Sequence, residues 1–269
     1  MKNFFNYPLY ILFTAFESLG KFYILISSAL KSINQWRDNL DNIINQMIII
    51  GIKSIPIVIW TSLFSGMVAG VQAADQFQIE TDAFPVTDEA VKFLGTVIGN
   101  SVVLELGPMI TALVMTGKIG ATIAAEIGSM RVTEQIDALE SISFSPIAYL
   151  IMPRILASFL MFPYLVFIAD IFGVTGGMLS STTSYDRLNS TMFFEGFNSD
   201  HLLRNTFFGM IKGMFFGFAI TSIACYNGFY AKGGALGVGR AATVTVVVSC
   251  ISIVILDYLL AAILLGMWI

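Results

Sequence analysis

The chain contains 269 residues, of which 56% are hydrophobic and only 12% are charged, and its formal net charge is −4. In a soluble domain about a quarter of the residues are charged, so this composition excludes a soluble protein and predicts an integral membrane protein. The negative net charge argues against a nucleic-acid partner.

The first apolar run, residues 4–30, is interrupted near its middle by Glu17 and Lys21, which lie one helical turn apart. A helix with charges at its centre fits the membrane interface better than the hydrocarbon core. We therefore predict an amphipathic interfacial region over residues 1–46, with a full span at residues 4–30 as the alternative.

Five further apolar segments are each long enough to cross a hydrocarbon core, which requires about 20 residues. Together they predict an all-α integral membrane protein in which one transmembrane domain covers residues 47–269. The third segment is unusually long and contains Pro163 and a glycine cluster around Gly176, so we expect a tilted or broken helix there. The predicted spans are residues 54–71, 93–116, 147–179, 206–226 and 243–268.

A charged segment separates the second predicted span from the third. Each charge at a bilayer centre costs roughly 3 kcal/mol, so this segment must lie at a membrane surface, where it can contact a soluble partner. We predict a helix within this segment, in which Ile123, Ile127 and Met130 at i, i+4 and i+7 form one apolar face. Its polar residues include Glu126, Arg131, Glu134, Gln135 and Asp137.

The positions of the 14 Lys and Arg residues predict the orientation in the membrane. Lys212 lies within a span. If the N-terminus is cytoplasmic, only Lys92, Arg187 and Arg204 face the outside, and the remaining cations face the inside, as the positive-inside rule requires. This orientation places residues 118–145 in the cytoplasm and the C-terminus outside.

The sequence contains none of the common nucleotide-binding, catalytic or metal-binding motifs. No GxxxxGK[ST] phosphate-binding motif is present, so ATP would have to be bound by a separate subunit. His201 is the only histidine, which removes His-based triads and paired-His metal sites. We therefore predict no catalytic residue, metal site or bound cofactor. An intramembrane enzyme that modifies lipid and a scaffold without ATP coupling remain as alternatives.

Four ionisable residues interrupt the apolar spans, where such groups face a cavity or one another. Lys212 and Asp257 both lie mid-span and are predicted to pair, either as a cross-link between helices or in a transport path. Glu105 precedes Pro108, which predicts a backbone bend beside this carboxylate. For Asp170 we expect a polar position near the outer end of the third span.

Glycine recurs at four-residue spacing on three spans, a pattern that lets helices approach closely. The spacing does not distinguish packing within the chain from a homodimer interface. The three sets are Gly66 with Gly70, Gly95 with Gly99, and Gly209 with Gly213 and Gly217.

Several motifs between the second span and the C-terminus form one pattern. They are ELGP at residues 105–108, GKIG at 117–120, AAEIGSM at 124–130, TEQIDAL at 133–139, GRAAT at 239–243, and Asp257. This pattern closely resembles the MlaE (YrbE) permease family, the membrane subunits of ABC transporters that move phospholipids or other lipids together with MCE-domain proteins. The resemblance covers roughly residue 48 to the end.

The resemblance implies a homodimeric permease that draws on ATP through an ABC ATPase (MlaF-like). It also implies an MCE-domain protein (MlaD-like) on the outer side and a small STAS-domain protein (MlaB-like) as a further partner. Residues 121–139 would be the coupling helix that docks into the ATPase, and phospholipid would enter a cleft near Glu105, Leu106 and Phe77. Some members carry Arg immediately before the Glu-Leu-Gly-Pro motif. Here that position is Leu104, so the resemblance implies no head-group cation there.

Overall fold

The computed structural model describes residues 3–76, 88–184, 190–197 and 202–266. Within these ranges the chain consists of α-helices joined by short 3₁₀ and π-helical turns, with no β-strand, which confirms the all-α fold class. Phe77 and Trp268, which entered the sequence predictions, lie outside the described residues. The helices are α1 (Asn3–Lys31), α2 (Leu40–Ile50), α3 (Ile55–Gln76), α4 (Asp88–Ser101), α5 (Gly107–Met115), α6 (Ala121–Val132), α7 (Gln135–Ser141), α8 (Met152–Ser184), α9 (Ser190–Phe197), α10 (Leu202–Phe229) and α11 (Gly234–Gly266).

Five helical stretches among the described residues are long and apolar enough to cross a membrane, as the sequence predicted. The first begins well before residue 54, because the 3₁₀ turn Ile52–Ser54 joins α2 to α3 without an intervening loop. Helix α1 is not one of the five, and its place in the interface stays a prediction. The stretches are Leu40–Gln76, Gly95–Val132, Ile147–Thr183, Leu202–Phe229 and Gly234–Leu264.

Helix α8 is continuous through Pro163, so a broken helix, one of the two alternatives expected for the third span, is wrong, and a tilted helix stays a prediction. Its glycines serve close packing against α3 instead. A Cβ atom on Gly66 would overlap the carbonyl oxygen of Gly173, and one on Gly176 would overlap the carbonyl oxygen of Leu63. Small residues on both helices thus let the two backbones touch.

The other two glycine sets also pack within the chain. A Cβ atom on Gly95 of α4 would overlap the backbone of Phe193 in α9. A Cβ atom on Gly217 of α10 would lie 2.6 Å from the ring of Phe162 in α8. The choice that the sequence left open is therefore settled in favour of packing within the chain.

Two buried clusters form the interior. The larger lies between α5, α6, α8 and α10 and includes the rings of Phe162 and Phe216. The smaller contains Ile98 of α4, Phe193 of α9 and Val103 beside the start of α5. Helix α11 is the least buried of the five membrane-length stretches and leaves a long apolar surface uncovered in this chain. That surface includes Val247, Ile251, Val254, Ile255 and Tyr258.

We expect the α3–α8 contact to be intolerant of a single methyl group. Gly66→Ala would drive its Cβ into the Gly173 carbonyl, and a backbone atom cannot move aside without separating the helices. Overpacking of this kind typically costs about 1–3 kcal/mol. The variant should show a lower thermal midpoint in detergent than the wild type.

Gly20→Ala is the matched control, because no atom lies within 4 Å of a Cβ at that position. In a helix this exchange is expected to be neutral or to stabilise by up to about 1 kcal/mol. Equal thermal midpoints for Gly66→Ala and the wild type would contradict the backbone contact.

Candidate functional site

The second span changes its geometry at the π-helical turn Val102–Leu106, immediately before α5. Pro108 has no N–H group and cannot donate to the turn that precedes it. The N–H of Gly107 bonds to the carbonyl of Val102, and the carbonyl oxygen of Leu104 accepts a hydrogen bond from Lys212 Nζ at 3.0 Å. The bend predicted at Pro108 is therefore a widened turn, to which α10 contributes the missing donor. We call Val102–Leu106 the widened turn.

Lys212 is the centre of a charged group that joins three spans. Its Nζ atom lies 2.9 Å from Glu105 Oε2 and 3.0 Å from Asp257 Oδ1. The structure thus brings Lys212 and Asp257 together, and it adds Glu105, which sequence reasoning had not paired. The sequence offered one signal for this contact, since Glu105 is a third charged residue within a span and lies close to Pro108.

The three side chains differ in their contact with the surroundings. That of Lys212 is only 3% exposed and that of Asp257 15%, whereas that of Glu105 is 47% exposed. The Lys212–Asp257 contact is therefore a buried ion pair, for which loss of one partner is costly. Glu105 instead turns one side of its carboxylate outward, where screening weakens the pair with Lys212. Both carboxylates share the Lys212 ammonium group. Of the three side chains in this charged group, only the Glu105 carboxylate is substantially accessible.

Leu106 follows Glu105 and is half-buried. It packs against the smaller apolar cluster, and it lines a small recess of about 10 Å³ with Ser62 and Ser65 of α3. The widened turn therefore presents a carboxylate and an apolar side chain at consecutive positions. Phe77, the third residue predicted in the lipid path, lies outside the described residues.

Asp170 occupies the middle of α8, not the outer end of the third span, so the position expected from the sequence is wrong. Its side chain is 4% exposed. The carboxyl group points at Gly107, just beyond the widened turn. Tertiary packing rather than position along the span explains its location, because α5 and α10 close over this part of α8.

The charged segment after the second span forms two helices, α6 and α7, so the single helix predicted over residues 121–139 is wrong. The chain turns at Glu134, whose φ of 59° lies in the left-handed region. Ile123 and Ile127 of the predicted apolar face are buried in the larger cluster, and Ile136 of α7 joins it. A straight helix could not bury all three, which is why the chain turns between α6 and α7.

Two ion pairs hold α6 in place. Arg131 Nη1 lies 2.5 Å from Asp137 Oδ1, across the turn between α6 and α7. Arg154 of α8 donates to Glu126 Oε2 at 3.0 Å and to the carbonyl of Leu150 at 3.0 Å. The side chain of Arg154 is 5% exposed, so this second pair ties α6 to the start of the third span. Sequence reasoning missed it, although a cation at the start of an apolar span is a visible signal.

The outward side of α7 is both acidic and apolar. We call the exposed residues of this region the α7 surface. Beside it lies a groove of about 440 Å³, lined in part by Gln135, Ala138, Ile142 and Tyr149. Ile142 is 71% exposed, which is unusual for an isoleucine outside the apolar spans. The α7 surface comprises Glu134, Gln135, Asp137, Ala138, Glu140 and Ile142.

We expect Lys212 to be the least replaceable member of the charged group. Lys212→Met strands two carboxylates and the Leu104 carbonyl, and loss of one partner from a buried pair typically costs about 3–5 kcal/mol. Asp257→Leu should cost less, because Lys212 keeps Glu105 and Leu104 as acceptors. The yield of monodisperse protein in detergent, compared between the two variants, shows which substitution destabilises the protein more.

The double variant Lys212→Met with Asp257→Leu should lose less folded protein than the sum of the two single losses. Coupling of this kind is what a double-mutant cycle detects. Strictly additive losses would show that the two side chains contribute independently.

The chain matches the family model described as Permease MlaE over residues 43–263. A probable ABC transporter permease protein of Rickettsia felis is 41% identical over 246 residues, which cover 91% of each chain. A probable ABC transporter permease protein of Synechocystis is 36% identical over 246 residues, covering 91% of this chain and 90% of the relative. The intermembrane phospholipid transport system permease protein MlaE of Haemophilus influenzae is 32% identical over 255 residues, covering 93% of each chain.

These matches extend over nearly the whole chain and include the widened turn, the charged group and helices α6 and α7 within one family model. They agree with the five apolar stretches of a multi-pass membrane protein. The chain belongs to the MlaE permease family.

Proposed function

We propose that this chain is the membrane subunit of an ATP-driven phospholipid transporter that moves lipid between the inner membrane and the outer side. The observation that carries the proposal is the widened turn, where the half-exposed Glu105 stands beside Leu106 within an apolar span. The Haemophilus influenzae relative, which is named for intermembrane phospholipid transport, supports the choice of lipid.

A phospholipid requires two kinds of surface at once. Its head group requires polar partners, whereas its tails gain about 0.8 kcal/mol for each CH₂ group that is removed from water. Glu105, anchored by Lys212, supplies a polar group at the widened turn. Leu106 supplies an apolar contact next to it. We therefore place the lipid head near Glu105 and a tail along Leu106.

The energy for transport would come from an ABC ATPase (MlaF-like) bound at the α7 surface. The apolar face of α6 is buried against the chain's own core, so it is α7 that offers exposed groups to a partner. The pair between Arg131 and Asp137 links α7 to α6, and the pair between Glu126 and Arg154 links α6 to α8. Movement of the ATPase would reach the third span through these two contacts.

The proposed assembly contains two copies of the permease, and the uncovered apolar surface of α11 is the surface that a second copy would cover. The N-terminus faces the cytoplasm and the C-terminus the periplasm of an inner membrane. An MCE-domain protein (MlaD-like) would stand on the outer side and a STAS-domain protein (MlaB-like) beside the ATPase. Recovery of a P-loop ATPase in a fixed ratio to the permease, with phospholipid in the mass spectrum of the complex, tests this assembly. Lipid-modifying activity of the isolated chain would overturn it.

We expect charge at the α7 surface to control ATPase binding. The double variant Glu134→Arg with Asp137→Arg replaces two exposed carboxylates with cations and should repel a partner that fits the acidic surface. About tenfold less ATPase should be recovered by affinity purification, equivalent to about 1.4 kcal/mol. Insertion of the permease should be unchanged, because neither position lies in an apolar span. Wild-type recovery of ATPase together with wild-type transport would remove the α7 surface from the coupling path.

Two control variants separate charge from local geometry. Asp137→Asn breaks the pair with Arg131 without reversing the charge. Glu134→Gly keeps the positive φ, which glycine adopts without strain. Both controls should retain more ATPase than the double variant. If either loses as much, the turn between α6 and α7 rather than its charge determines binding.

We expect Leu106 to contact lipid tails during transport. A photo-crosslinking amino acid at Leu106 should capture phospholipid in membranes, and the amount captured should change when the ATPase turns over. Leu106→Asn should lower transport severalfold with little loss of complex, because a polar side chain weakens the contact with an acyl chain.

Phe64 of α3 is the matched control position, since it is 57% exposed on the outer surface of a span. A crosslinker there should capture membrane lipid regardless of ATP hydrolysis. Crosslinks from Leu106 to protein alone, with transport unaffected by Leu106→Asn, would move the lipid path elsewhere.

A further inference from the structure

The carboxyl group of Asp170 is a buried ionisable group to which the proposed transport path gives no role. Its side chain is 4% exposed. Among the described residues neither of its oxygens has a hydrogen-bond partner, and no cation pairs with it. Buried polar groups nearly always have a partner, and an unpaired charge in an apolar interior is costly. The position therefore requires a physical explanation.

Two glycines on neighbouring helices form a recess for this carboxyl group. Oδ1 of Asp170 fills the space that a Cβ atom on Gly107 would occupy. Oδ2 lies 3.6 Å from the place of a Cβ atom on Gly209, and that place is 2.7 Å from the carbonyl oxygen of Val103. The carboxyl group thus sits between α5, α8 and α10, directly beside the widened turn.

The charges around the recess do not favour a third carboxylate. Two titratable residues stand close in the chain to the glycines of the recess: Glu105 lies two residues before Gly107, and Lys212 lies three residues after Gly209. Lys212 is already bound to Glu105 and to Asp257 of α11. An ionised Asp170 would give this part of the bundle three carboxylates for one ammonium group. Such an excess is strongly opposed at low dielectric constant.

We propose that Asp170 is a proton-binding site, at which the carboxyl group is held as a neutral acid next to the widened turn. Backbone of Gly107, Gly209 and Val103 lies beside the carboxyl group, and no cationic side chain of the described residues pairs with it, so a proton is the simplest ligand that would remove its charge. The neutral acid lets α8 pack at the widened turn without a counter-ion. Because the neutral acid does not compete for the ammonium group, Lys212 stays paired with Glu105 and Asp257. This inference does not depend on which lipid the protein transports.

Infrared spectroscopy of the full chain in lipid bilayers at neutral pH tests the proposal. A protonated carboxylic acid has a carbonyl band distinct from that of a carboxylate. The wild type should show such a band, and labelling the aspartate side-chain carbonyl with ¹³C should shift it. The band should be lost in Asp170→Asn, which is neutral and nearly isosteric. It should persist in Asp257→Asn and in Glu17→Gln, whose carboxylate is exposed and paired with Lys21.

The wild-type spectrum decides the question even if Asp170→Asn fails to fold. Absence of an aspartic-acid band from the wild type overturns the proposal, as does a band that persists in folded Asp170→Asn. A thermal midpoint that rises with sodium but not with choline in the wild type, and with neither in Asp170→Asn, would show a metal cation at the site and also overturn it. Equal thermal midpoints of the wild type in sodium and in choline, together with a carbonyl band assigned to Asp170, support a bound proton at this site.

Discussion

The buried ammonium group of Lys212 is the interaction on which the arrangement of the second, fourth and fifth spans depends. Pro108 removes a backbone donor, and a carbonyl left without a partner in an apolar setting costs about 1–3 kcal/mol. Lys212 supplies that donor to Leu104 and at the same time pairs with Glu105 and Asp257. The widened turn can therefore exist only where α10 brings a cation to it. The group that makes the turn stable is also the group that holds Glu105 at the surface of the span.

Backbone contacts through glycine fix the helices around this cation. Gly66 lies against Gly173 between α3 and α8, and Gly213 of α10 lies against Val166 of α8. Helices that touch through their backbones have little freedom to rotate, because rotation would drive side chains into the neighbouring backbone. We therefore expect conformational change to involve the widened turn and the turn at Glu134. Both are places where the helical geometry already departs from the α-helix.

Helices α6 and α7 show how a surface proposed for a partner is separated from the core. Helix α6 buries its apolar residues in the chain's own interior, and the left-handed residue Glu134 then redirects the chain so that α7 exposes acidic and apolar groups. Arg154 connects this region to the third span while remaining almost inaccessible. Helix α8 thus connects the α6–α7 region, which Arg154 contacts, with the widened turn, which Asp170 adjoins.

The sequence by itself determined the class of protein, the number of spans and the family, because hydropathy over about 20 residues and long local motifs need no tertiary information. It also pointed to Lys212 and Asp257, since any charge within a span must find a partner. Only the tertiary structure decided that Glu105 joins them, that Asp170 has no partner, and that the glycines of α8 pack rather than break the helix. Contacts of these kinds depend on which helices are neighbours, and a local pattern carries no information about neighbours that are about a hundred residues away in the chain. The division of residues 121–139 into two helices has the same origin, because the need to bury Ile136 beside Ile127 exists only once α6 is packed against the bundle.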